Sequence, residues 1–313
     1  MAVQKKRKEI HFGDRVFKSY LALSAYAVVA LLVCIAVFVG IKAVPAFSRF
    51  GFAFFTTSTW DPVNETYGSL PTIFGTIVSS LIALIIAAPL SVAVALLITE
   101  VVPLKAATVI TFLVQMLAAV PSVVYGLWGV FVLAPWLRSS VEPGLANALG
   151  FLPLFQGPAY GVGMLAAGII LAIMISPTIC SICIEIFKSI PRPQREGAIA
   201  LGATSWETIR ISVLTASQTG IFGATILGLG RAIGETMAVT MVIGNRAEIS
   251  ASLFAPAQTM ASVIANEYAE ATSDLHLSAL AAVGITLFIV TLTLNSLARL
   301  LVWRVTRATG SAS

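Results

Sequence analysis

Six stretches of this sequence contain no Asp, Glu, Lys or Arg, and this feature constrains the fold more than any other. They cover residues 19–41, 66–99, 106–137, 143–184, 211–230 and 277–298. A helix of about 20 apolar residues crosses a hydrocarbon core of about 30 Å. Charged residues make up only 11% of the chain, against roughly 25% in a soluble domain. The sequence therefore predicts an all-α integral membrane protein.

Two of these stretches must be interpreted before the spans can be counted. Residues 143–184 are long enough for two crossings, but three prolines interrupt the first part, which we interpret as an extramembrane or interfacial loop. A seventh crossing there is the alternative. The stretch 211–230 reaches membrane thickness comfortably only if its helix continues through Arg231 and Glu235 to about Ile243. We therefore predict six transmembrane helices.

The predicted segments follow from these stretches. The six spans are 19–41, 71–99, 106–135, 159–184, 216–243 and 278–302. The remaining segments are a basic cytoplasmic arm at 1–18, periplasmic loops at 42–70, 136–158 and 244–277, a cytoplasmic loop at 185–213 and a cytoplasmic tail at 303–313.

Basic residues are distributed unevenly between the two sides that these spans define. With both termini in the cytoplasm, the inner segments hold fourteen Lys and Arg residues, and the outer segments hold Lys42, Arg49, Arg138 and Arg246. Because cytoplasmic segments of membrane proteins carry the excess of Lys and Arg, both termini are predicted to be cytoplasmic. The pI near 9.3 is then a consequence of topology and gives no support for nucleic-acid binding.

The chain lacks the residue sets that catalysis inside a membrane requires. Intramembrane hydrolysis needs a nucleophile with a base, or paired aspartates. Asp14, Asp61 and Asp274 all lie outside the predicted spans, as do both histidines. The pattern G-x-x-x-x-G-K-[ST] is absent, so the chain cannot bind ATP through a P-loop of its own. Transport, or a scaffold for it, is what remains, and we predict a transport subunit that is not an enzyme and has no catalytic residues.

Two cysteines have the spacing of a metal or redox motif. Cys180 and Cys183 form "CSIC" at the end of the fourth span, but no further Cys or His lies nearby in the sequence to complete a zinc shell. We interpret them as small residues on a helix face. No metal or other cofactor is expected on this chain.

The predicted cytoplasmic loop 185–213 contains signals for two helices separated by a turn. Two prolines end the fourth span and suit the start of a helix over 194–201. Gly202 suits the left-handed conformation that ends many helices. Thr204 and Glu207 have the spacing of a capping box, which predicts a second helix that leads into the fifth span.

This loop resembles the EAA loop of ABC importer permeases, whose pattern is E-A-A, three residues, G, nine residues and I-x-L-P. The matching residues are Glu196, Ala198, Gly202 and Leu214. The departures are Gly197 at the second alanine position, Ser212 at the isoleucine and Thr215 at the proline. In such importers the loop docks on a separate ATPase subunit. The resemblance therefore implies coupling through Glu196, Gly197, Ala198, Gly202, Thr204 and Glu207. The alternative is an amphipathic interfacial helix without a partner.

Four further segments narrow the resemblance. They are "GSLPTIFGTIVSSLIALIIAAPLSVAVALLITE", "AAVPSVVYGLWG", "AAGIILAIMISPTI" and "LGLGRAIGETMAVTMVIGN". Together they resemble the phosphate-specific ABC transporter permease family, and "GETMAV" after the arginine favours its PstC-type subunit over the PstA-type subunit. The resemblance implies the type I ABC importer permease fold and a location in the bacterial inner membrane, with several crossings.

Membership of that family implies several partners. They are a second, PstA-like permease subunit, two copies of an ATP-binding subunit and a periplasmic phosphate-binding protein. ATP and Mg would be bound by the ATPase partner and not by this chain, and membrane lipid would surround the spans. The function implied is import of inorganic phosphate, with ATP hydrolysis coupled through the loop 185–213.

Two charges lie inside the predicted fifth span. Each costs about 2.5 to 3.5 kcal/mol at the centre of a membrane helix unless it is paired or faces water. Arg231 and Glu235 are four residues apart and would share one helix face, where they can form an ion pair. Gly230 and Gly234 form a small-xxx-small pair that allows close approach of another helix. Mutual neutralisation at a packed helix interface is therefore one interpretation.

The other interpretation assigns the pair to the substrate pathway. A guanidinium is permanently charged and matches the oxygens of phosphate, so Arg231 would lower the barrier to anion passage. Glu235 would hold Arg231 in place and prevent trapping of the anion. A site along a passage must bind weakly enough to release its ion. The sequence leaves both interpretations open.

Other transport functions remain as alternatives. A PstA-like permease or a permease for sulfate or molybdate would share the coupling loop. An ion-coupled secondary transporter would place more carboxylates among its helices than the single Glu235. A membrane scaffold would not need the loop. In the outer loop 244–277, residues 260–271 are helix-permissive, and we expect this helix to lie along the membrane surface. The family resemblance implies that it acts as a gate.

Overall fold

The computed structural model of the chain describes residues 12–310. Residues 1–11 of the predicted basic arm and residues 311–313 of the predicted tail lie outside the described residues. Within that range the first α-helices are α1 (Phe12–Phe50), α2 (Ala53–Thr56), α3 (Leu70–Leu96), α4 (Leu104–Ala118), α5 (Ser122–Trp128), α6 (Ala134–Trp136) and α7 (Glu142–Leu149). They are followed by α8 (Met164–Ser189), α9 (Arg192–Ala200), α10 (Ser205–Thr208), α11 (Thr215–Ile233), α12 (Met237–Val242), α13 (Met260–Glu267) and α14 (Asp274–Gly310).

Shorter elements join several of these helices. The strands β1 (Trp60–Asp61) and β2 (Thr66–Tyr67) form an antiparallel pair. The π-helical turns are Leu97–Val101, Gly129–Leu133, Leu137–Val141 and Ile209–Leu214, and Pro153–Phe155 forms a 3₁₀ turn. Most π-turns continue a neighbouring α-helix, so the helical run from α5 to α7 is unbroken from Ser122 to Leu149.

Helices long and apolar enough to cross a membrane account for most of the chain. Five such spans are Val16–Phe50, Leu70–Val101, Met164–Ser189, Ser205–Ile233 and Asp274–Arg304. A sixth is obtained if α4 and the run Ser122–Leu149 count as one bent span. The predicted all-α membrane fold is therefore confirmed, with five or six candidate membrane spans within the described residues.

The third span is not the single helix predicted over 106–135. Its two halves meet at an angle of 88° between Ala118 and Ser122. Pro121 lies at this break, where it lacks an N–H and disfavours helical conformation in the residue before it. The second half then continues to Leu149, so much of the predicted loop 136–158 is helical.

The fifth span is also broken, in contrast to the continuous helix predicted over 216–243. The helix α11 ends at Ile233 with Gly234 as its C-cap, and α12 begins only at Met237. A glycine is readily tolerated at a helix end because it lacks a Cβ. Glu235 therefore lies in the connection between two helices and not on a helix face.

The helix α8 lies at the centre of the fold. In the apolar stretch of α8 that is suited to cross a membrane, 67% of the residues are buried. The corresponding value for α1 is 6%. The helix α8 packs against α3, α4 and α11, and its buried Ile170, Ile175 and Ile179 belong to the main apolar core. The helix α1 packs on α14 and exposes an apolar surface along most of its length, as a lipid-facing helix does.

A second apolar cluster closes the end of the bundle that is predicted to be periplasmic. It combines residues from α1, α2, α13 and the start of α14, including Phe54, Met260 and Val283. The helix α13 confirms the helical structure predicted within 260–271, and its first turn is buried against the bundle. The backbone N–H of Met260 donates to Thr76 Oγ1 of α3 at 2.9 Å.

Candidate functional site

Arg231 occupies the last turn of α11, one turn before the break in the fifth span. Its side chain is exposed on the surface of the chain, and its Nη1 donates to Thr178 Oγ1 of α8 at 3.1 Å. Tyr125, in the first turn after the break in the third span, lies near enough to interact electrostatically with the guanidinium. Residues from three spans therefore meet where two of those spans are interrupted.

The two breaks adjoin because the outer halves of the broken spans pack together. A Cβ atom added to Gly126 of α5 would lie 2.6 Å from Met241 Sδ and 3.1 Å from Ala238 Cα, both of α12. Only a glycine allows the backbones to approach this closely. Tyr125 also closes its own break, since its hydroxyl donates to the carbonyl of Leu117 at 2.8 Å.

The ion pair that the spacing of Arg231 and Glu235 allows is not formed between these two side chains. Among the described residues, the ion pairs do not include one between these side chains. Glu235 Oε1 instead accepts from the backbone N–H of Ala238 at 3.3 Å, at the start of α12. The physical reason is the break at Gly234: residue 235 no longer lies one helical turn above residue 231. The mutual neutralisation considered from the sequence is therefore wrong for this structure.

The glycines predicted to pack a helix interface are also not the closest contacts. A Cβ atom on Gly230 would lie 3.9 Å from the Asn295 amide, and one on Gly234 would reach only the carbonyl of Gly230. The tight positions are Gly220 and Gly228, where a Cβ atom would lie 2.8 Å from Ile186 Cδ1 and 2.6 Å from Ile179 Cδ1. The glycines that pack α11 against α8 are thus Gly220 and Gly228. They lie on a different face of α11 from the predicted pair, Gly230 and Gly234.

The segment predicted to couple to an ATPase has the local structure expected from its sequence. The helix α9 ends before Gly202, whose φ is +86°, in the left-handed region. Thr204 Oγ1 accepts from the N–H of Glu207 at 3.4 Å, and Glu207 Oε2 accepts from the N–H of Thr204 at 2.8 Å. The predicted capping box and glycine corner are therefore confirmed, while the coupling role itself stays a prediction.

The surface of this segment is polar in part and apolar in part. Glu196 and Gly197 are exposed, and Ala198 is half-buried. Leu201 is 91% exposed and Trp206 is 61% exposed, although they lie within a few residues of the confirmed corner. A Cβ atom on Gly197 or Gly202 would meet nothing within 4 Å. The surface around Gly197 and Gly202 is thus open, and two large apolar side chains close to it are exposed.

A polar cluster that the sequence did not reveal holds the outer end together. Trp60 Nε1 donates to both carboxylate oxygens of Glu267, at 2.8 and 3.0 Å, and His276 Nε2 lies 2.9 Å from Glu267 Oε2. The His276 ring stacks on Tyr67 with centroids 5.4 Å apart. The cluster joins the strand pair, α13 and α14. Sequence spacing could not reveal the contact, because Trp60 and Glu267 are 207 residues apart.

The strand pair is stabilised by its own turn. Asp61 Oδ1 accepts from the N–H groups of Val63 and Asn64, and its Oδ2 accepts from Asn64 Nδ2 at 2.7 Å. The side-chain hydrogen bond from Asn64 lowers the pKa of Asp61 most. Burial, and then the charge of Glu65, raise the pKa of Tyr67.

The cysteines of "CSIC" are buried in α8 and are free thiols. Within residues 12–310, no group of three or more His, Cys, Asp or Glu side chains is arranged to hold a metal ion. Cys180 and Cys183 both contribute to the main apolar core, as expected of small residues on a helix face.

Comparison with known proteins identifies the class. The sequence pattern of the family described as "Binding-protein-dependent transport system inner membrane component" matches residues 91–307. The chain is similar in fold to the membrane subunits of a bacterial alginate ABC transporter, with a TM-score of 0.63, 17% identity and coverage of 95% of this chain and 99% of the other. A second structure of a bacterial ABC transporter that imports alginate gives a TM-score of 0.60, with 15% identity and coverage of 93% and 99%.

Closer relatives narrow the class. The chain is 43% identical to the phosphate transport system permease protein PstC of Mesorhizobium japonicum, covering 95% of this chain and 92% of the relative. It is 41% identical to PstC of Haemophilus influenzae, covering 95% of each. A probable PstC of Methanocaldococcus jannaschii is 36% identical over 89% of this chain and 90% of the relative. The chain belongs to the binding-protein-dependent ABC importer permeases and, within them, to the PstC family.

Proposed function

We propose that this chain is the permease subunit through which an ATP-driven importer moves inorganic phosphate across the bacterial inner membrane into the cytoplasm. The observation that carries the proposal is the exposed guanidinium of Arg231 at the junction of two broken spans. Membership of a family of transport permeases supports a transport subunit and not an enzyme.

An exposed arginine within a span indicates what must cover that surface. An unpaired charge facing hydrocarbon at the membrane centre costs about 2.5 to 3.5 kcal/mol. Arg231 has one hydrogen bond, to a neutral hydroxyl, which does not neutralise it. The surface around it is therefore expected to face a water-accessible passage and a second permease subunit, PstA-like by resemblance, and not lipid.

The same geometry suits transient binding of an oxyanion. Thr178 holds one nitrogen of the guanidinium and leaves its other donors available for phosphate oxygens. Glu235 lies in the adjoining connection, so its negative charge opposes tight retention of an anion. A passage site that binds weakly releases its ion. High-affinity capture is then the task of a periplasmic phosphate-binding protein.

Energy for transport would enter through the segment 185–213. Its corner projects the apolar side chains of Leu201 and Trp206 beside the exposed Glu196. Exposed apolar groups with a polar rim are typical of a protein interface. We propose that two copies of an ATP-binding subunit, which would hold ATP and Mg, dock in the assembled importer and that one of them contacts this corner.

Uptake of radiolabelled phosphate into membrane vesicles containing the assembled importer tests the pathway. We expect Arg231→Gln to abolish uptake while purification still yields the complex with its ATPase. Arg49→Gln is the control, because Arg49 forms an exposed ion pair with Glu65 outside the passage. Normal uptake by Arg231→Gln overturns the role of Arg231. Competition by sulfate or molybdate as strong as by unlabelled phosphate indicates a broader oxyanion importer.

A pull-down tests the docking segment separately. Gly202→Val places a side chain at a φ of +86°, which a β-branched residue does not adopt without strain. We expect this variant to lose the ATPase. Gly144→Val is the control, since Gly144 also has open space around it but lies at the opposite end of the bundle. Equal recovery of the ATPase with both variants contradicts docking at this corner.

A further inference from the structure

The guanidinium of Arg195 joins three elements at the cytoplasmic end of the fold. Its Nε and Nη2 donate to Glu100 Oε2 and Oε1 at 3.2 and 2.9 Å. Its Nη1 donates to the carbonyl of Ile190 at 2.8 Å, and Nη2 also donates to the carbonyl of Phe187 at 2.9 Å. Arg195 belongs to α9, Glu100 to the end of the second span, and Phe187 to the last turn of α8.

The burial and the bonding pattern distinguish this contact from an ordinary surface ion pair. The side chains of Arg195 and Glu100 are 21% and 11% exposed, against 52% and 67% in the neighbouring Lys188–Glu185 pair. A two-bond pairing of guanidinium and carboxylate is stronger and more directional than a single contact. The carbonyl of Phe187 otherwise accepts only a long bond of 3.4 Å from the N–H of Ile190 within the described residues. A cation at this helix end also meets the negative end of the helix dipole.

Glu100 is presented by a local distortion of its helix. Residues Leu97–Val101 form a π-helical turn at the end of α3, closed by a hydrogen bond from the N–H of Val102 to the carbonyl of Leu97 at 3.0 Å. Such turns alter the direction of the side chains that follow and often occur at functional positions. Here the turn places the Glu100 carboxylate opposite Nε and Nη2 of the Arg195 guanidinium.

The helix α9 has few other attachments. Most of its residues are exposed, including Glu196, Gly197 and Ile199. A second anchor is the hydroxyl of Ser212, which donates to the carbonyl of Gln194 at 3.0 Å. That bond ties α9 to the start of the fifth span. The Arg195–Glu100 contact is what ties it to the second and fourth spans.

We propose that Arg195 and Glu100 are positioning residues that transmit movement of the docking segment to the second and fourth spans. The inference rests on the proposed docking of segment 185–213 to an ATPase. The contact of Arg195 with Glu100 and Phe187, called the joint below, is connected to the candidate site by α8. Thr178 lies nine residues before Phe187, about 14 Å along that helix. A shift of α9 is thereby carried along one rigid helix to the hydroxyl that holds Arg231.

The test measures ATP hydrolysed per phosphate transported by the assembled importer in proteoliposomes, together with recovery of the ATPase in a pull-down. We expect Arg195→Gln and Glu100→Gln to keep the ATPase bound but to raise that ratio about tenfold, which corresponds to losing about 1.4 kcal/mol of coupling. Matched controls are Arg49→Gln and Glu65→Gln, which break an exposed ion pair at the other end and leave the ratio unchanged.

Each outcome decides between the proposals. A normal ratio in Arg195→Gln overturns the joint and leaves the docking proposal intact. Failure of the unmodified chain to bind an ATPase overturns the docking proposal itself. If Arg195→Gln does not assemble, Arg195→Lys is measured, since lysine keeps the charge but cannot form the planar two-bond pairing. A normal ratio in that variant overturns the proposal, and a raised ratio with the ATPase still bound supports it.

Discussion

Thr178 of the fourth span accepts a hydrogen bond at 3.1 Å from Arg231 of the fifth span, and Glu235, four residues after Arg231, instead accepts from the backbone of Ala238. The arginine is thus oriented by a neutral side chain from another helix. An arginine held in this way keeps its full positive charge for an incoming anion, whereas an arginine paired with a carboxylate would be largely neutralised.

Removal of the Thr178 hydroxyl should impair transport without unfolding the chain. We expect Thr178→Val to raise the phosphate concentration needed for half-maximal uptake by about three- to tenfold, since a typical hydrogen bond contributes about 0.5 to 1.5 kcal/mol. Thr178→Ser should retain near-normal uptake. Thr225→Val is the control, because Thr225 bonds only to the carbonyl of Ile221 in its own helix. Initial uptake rates over a range of phosphate concentrations provide the measurement.

Substitution of Glu235 distinguishes an acceptor of a backbone hydrogen bond from an ion-pair partner. Because Glu235 accepts a backbone hydrogen bond and forms no ion pair with Arg231, Glu235→Gln should preserve the thermal stability of the purified complex. Glu235→Ala should cost about 1 kcal/mol. A double-mutant cycle with Arg231→Gln should give a coupling free energy below about 0.5 kcal/mol, as for side chains that do not interact. Coupling above 2 kcal/mol, roughly that of a buried pair, would favour the ion pair.

Two neighbouring glycines should respond oppositely to a methyl group. Gly228→Ala places a Cβ atom 2.6 Å from the buried Ile179 side chain, and we expect about 1 to 3 kcal/mol of destabilisation. Gly230→Ala places its Cβ atom at an ordinary distance of 3.9 Å from Asn295 and should be neutral or stabilising by up to about 1 kcal/mol. Thermal unfolding of the two variants in the same detergent compares them directly. Equal midpoints would contradict the packing described for α11 and α8.

The capping box should stabilise the second helix of the docking segment. Thr204→Ala removes the acceptor for the N–H of Glu207 and should cost about 1 kcal/mol, whereas Thr204→Ser retains it. The loss should be local. Hydrogen exchange at the amides of residues 205–208 should therefore become about fivefold faster in the alanine variant, the factor that about 1 kcal/mol represents. Unchanged exchange in both variants would show that the cap contributes nothing.

The outer polar cluster should stabilise the attachment of the strand pair. Glu267→Ala leaves the indole N–H of Trp60 and the ring of His276 without their partner, and an unsatisfied buried group costs about 1 to 3 kcal/mol. Glu270→Ala is the control, since Glu270 is exposed on the same loop. Limited proteolysis within residues 57–68 should be faster only in the first variant. Equal cleavage rates would mean that the cluster does not hold the strands.

Much of the architecture follows from short-range information. The membrane spans are visible as uncharged stretches because hydrocarbon excludes charge over a helix length of about 20 residues. The corner at Gly202 and the capping box at Thr204 and Glu207 were predicted correctly because each depends on residues within three or four positions of one another. The family resemblance, carried by contiguous motifs, is confirmed by the relatives.

The sequence alone therefore determined that this chain is a helical membrane permease with a structured corner at Gly202, and it identified Arg231 as a charge that lipid cannot accommodate. Only the tertiary structure decided which groups meet that arginine, where the third and fifth spans break, and how Arg195 reaches Glu100, 95 residues away in the chain. Helix breaks and distant hydrogen bonds depend on how whole helices pack against one another. Local spacing carries no information about those contacts, and at residues 231 and 235 it allowed an ion pair that is not formed once the helix breaks at Gly234.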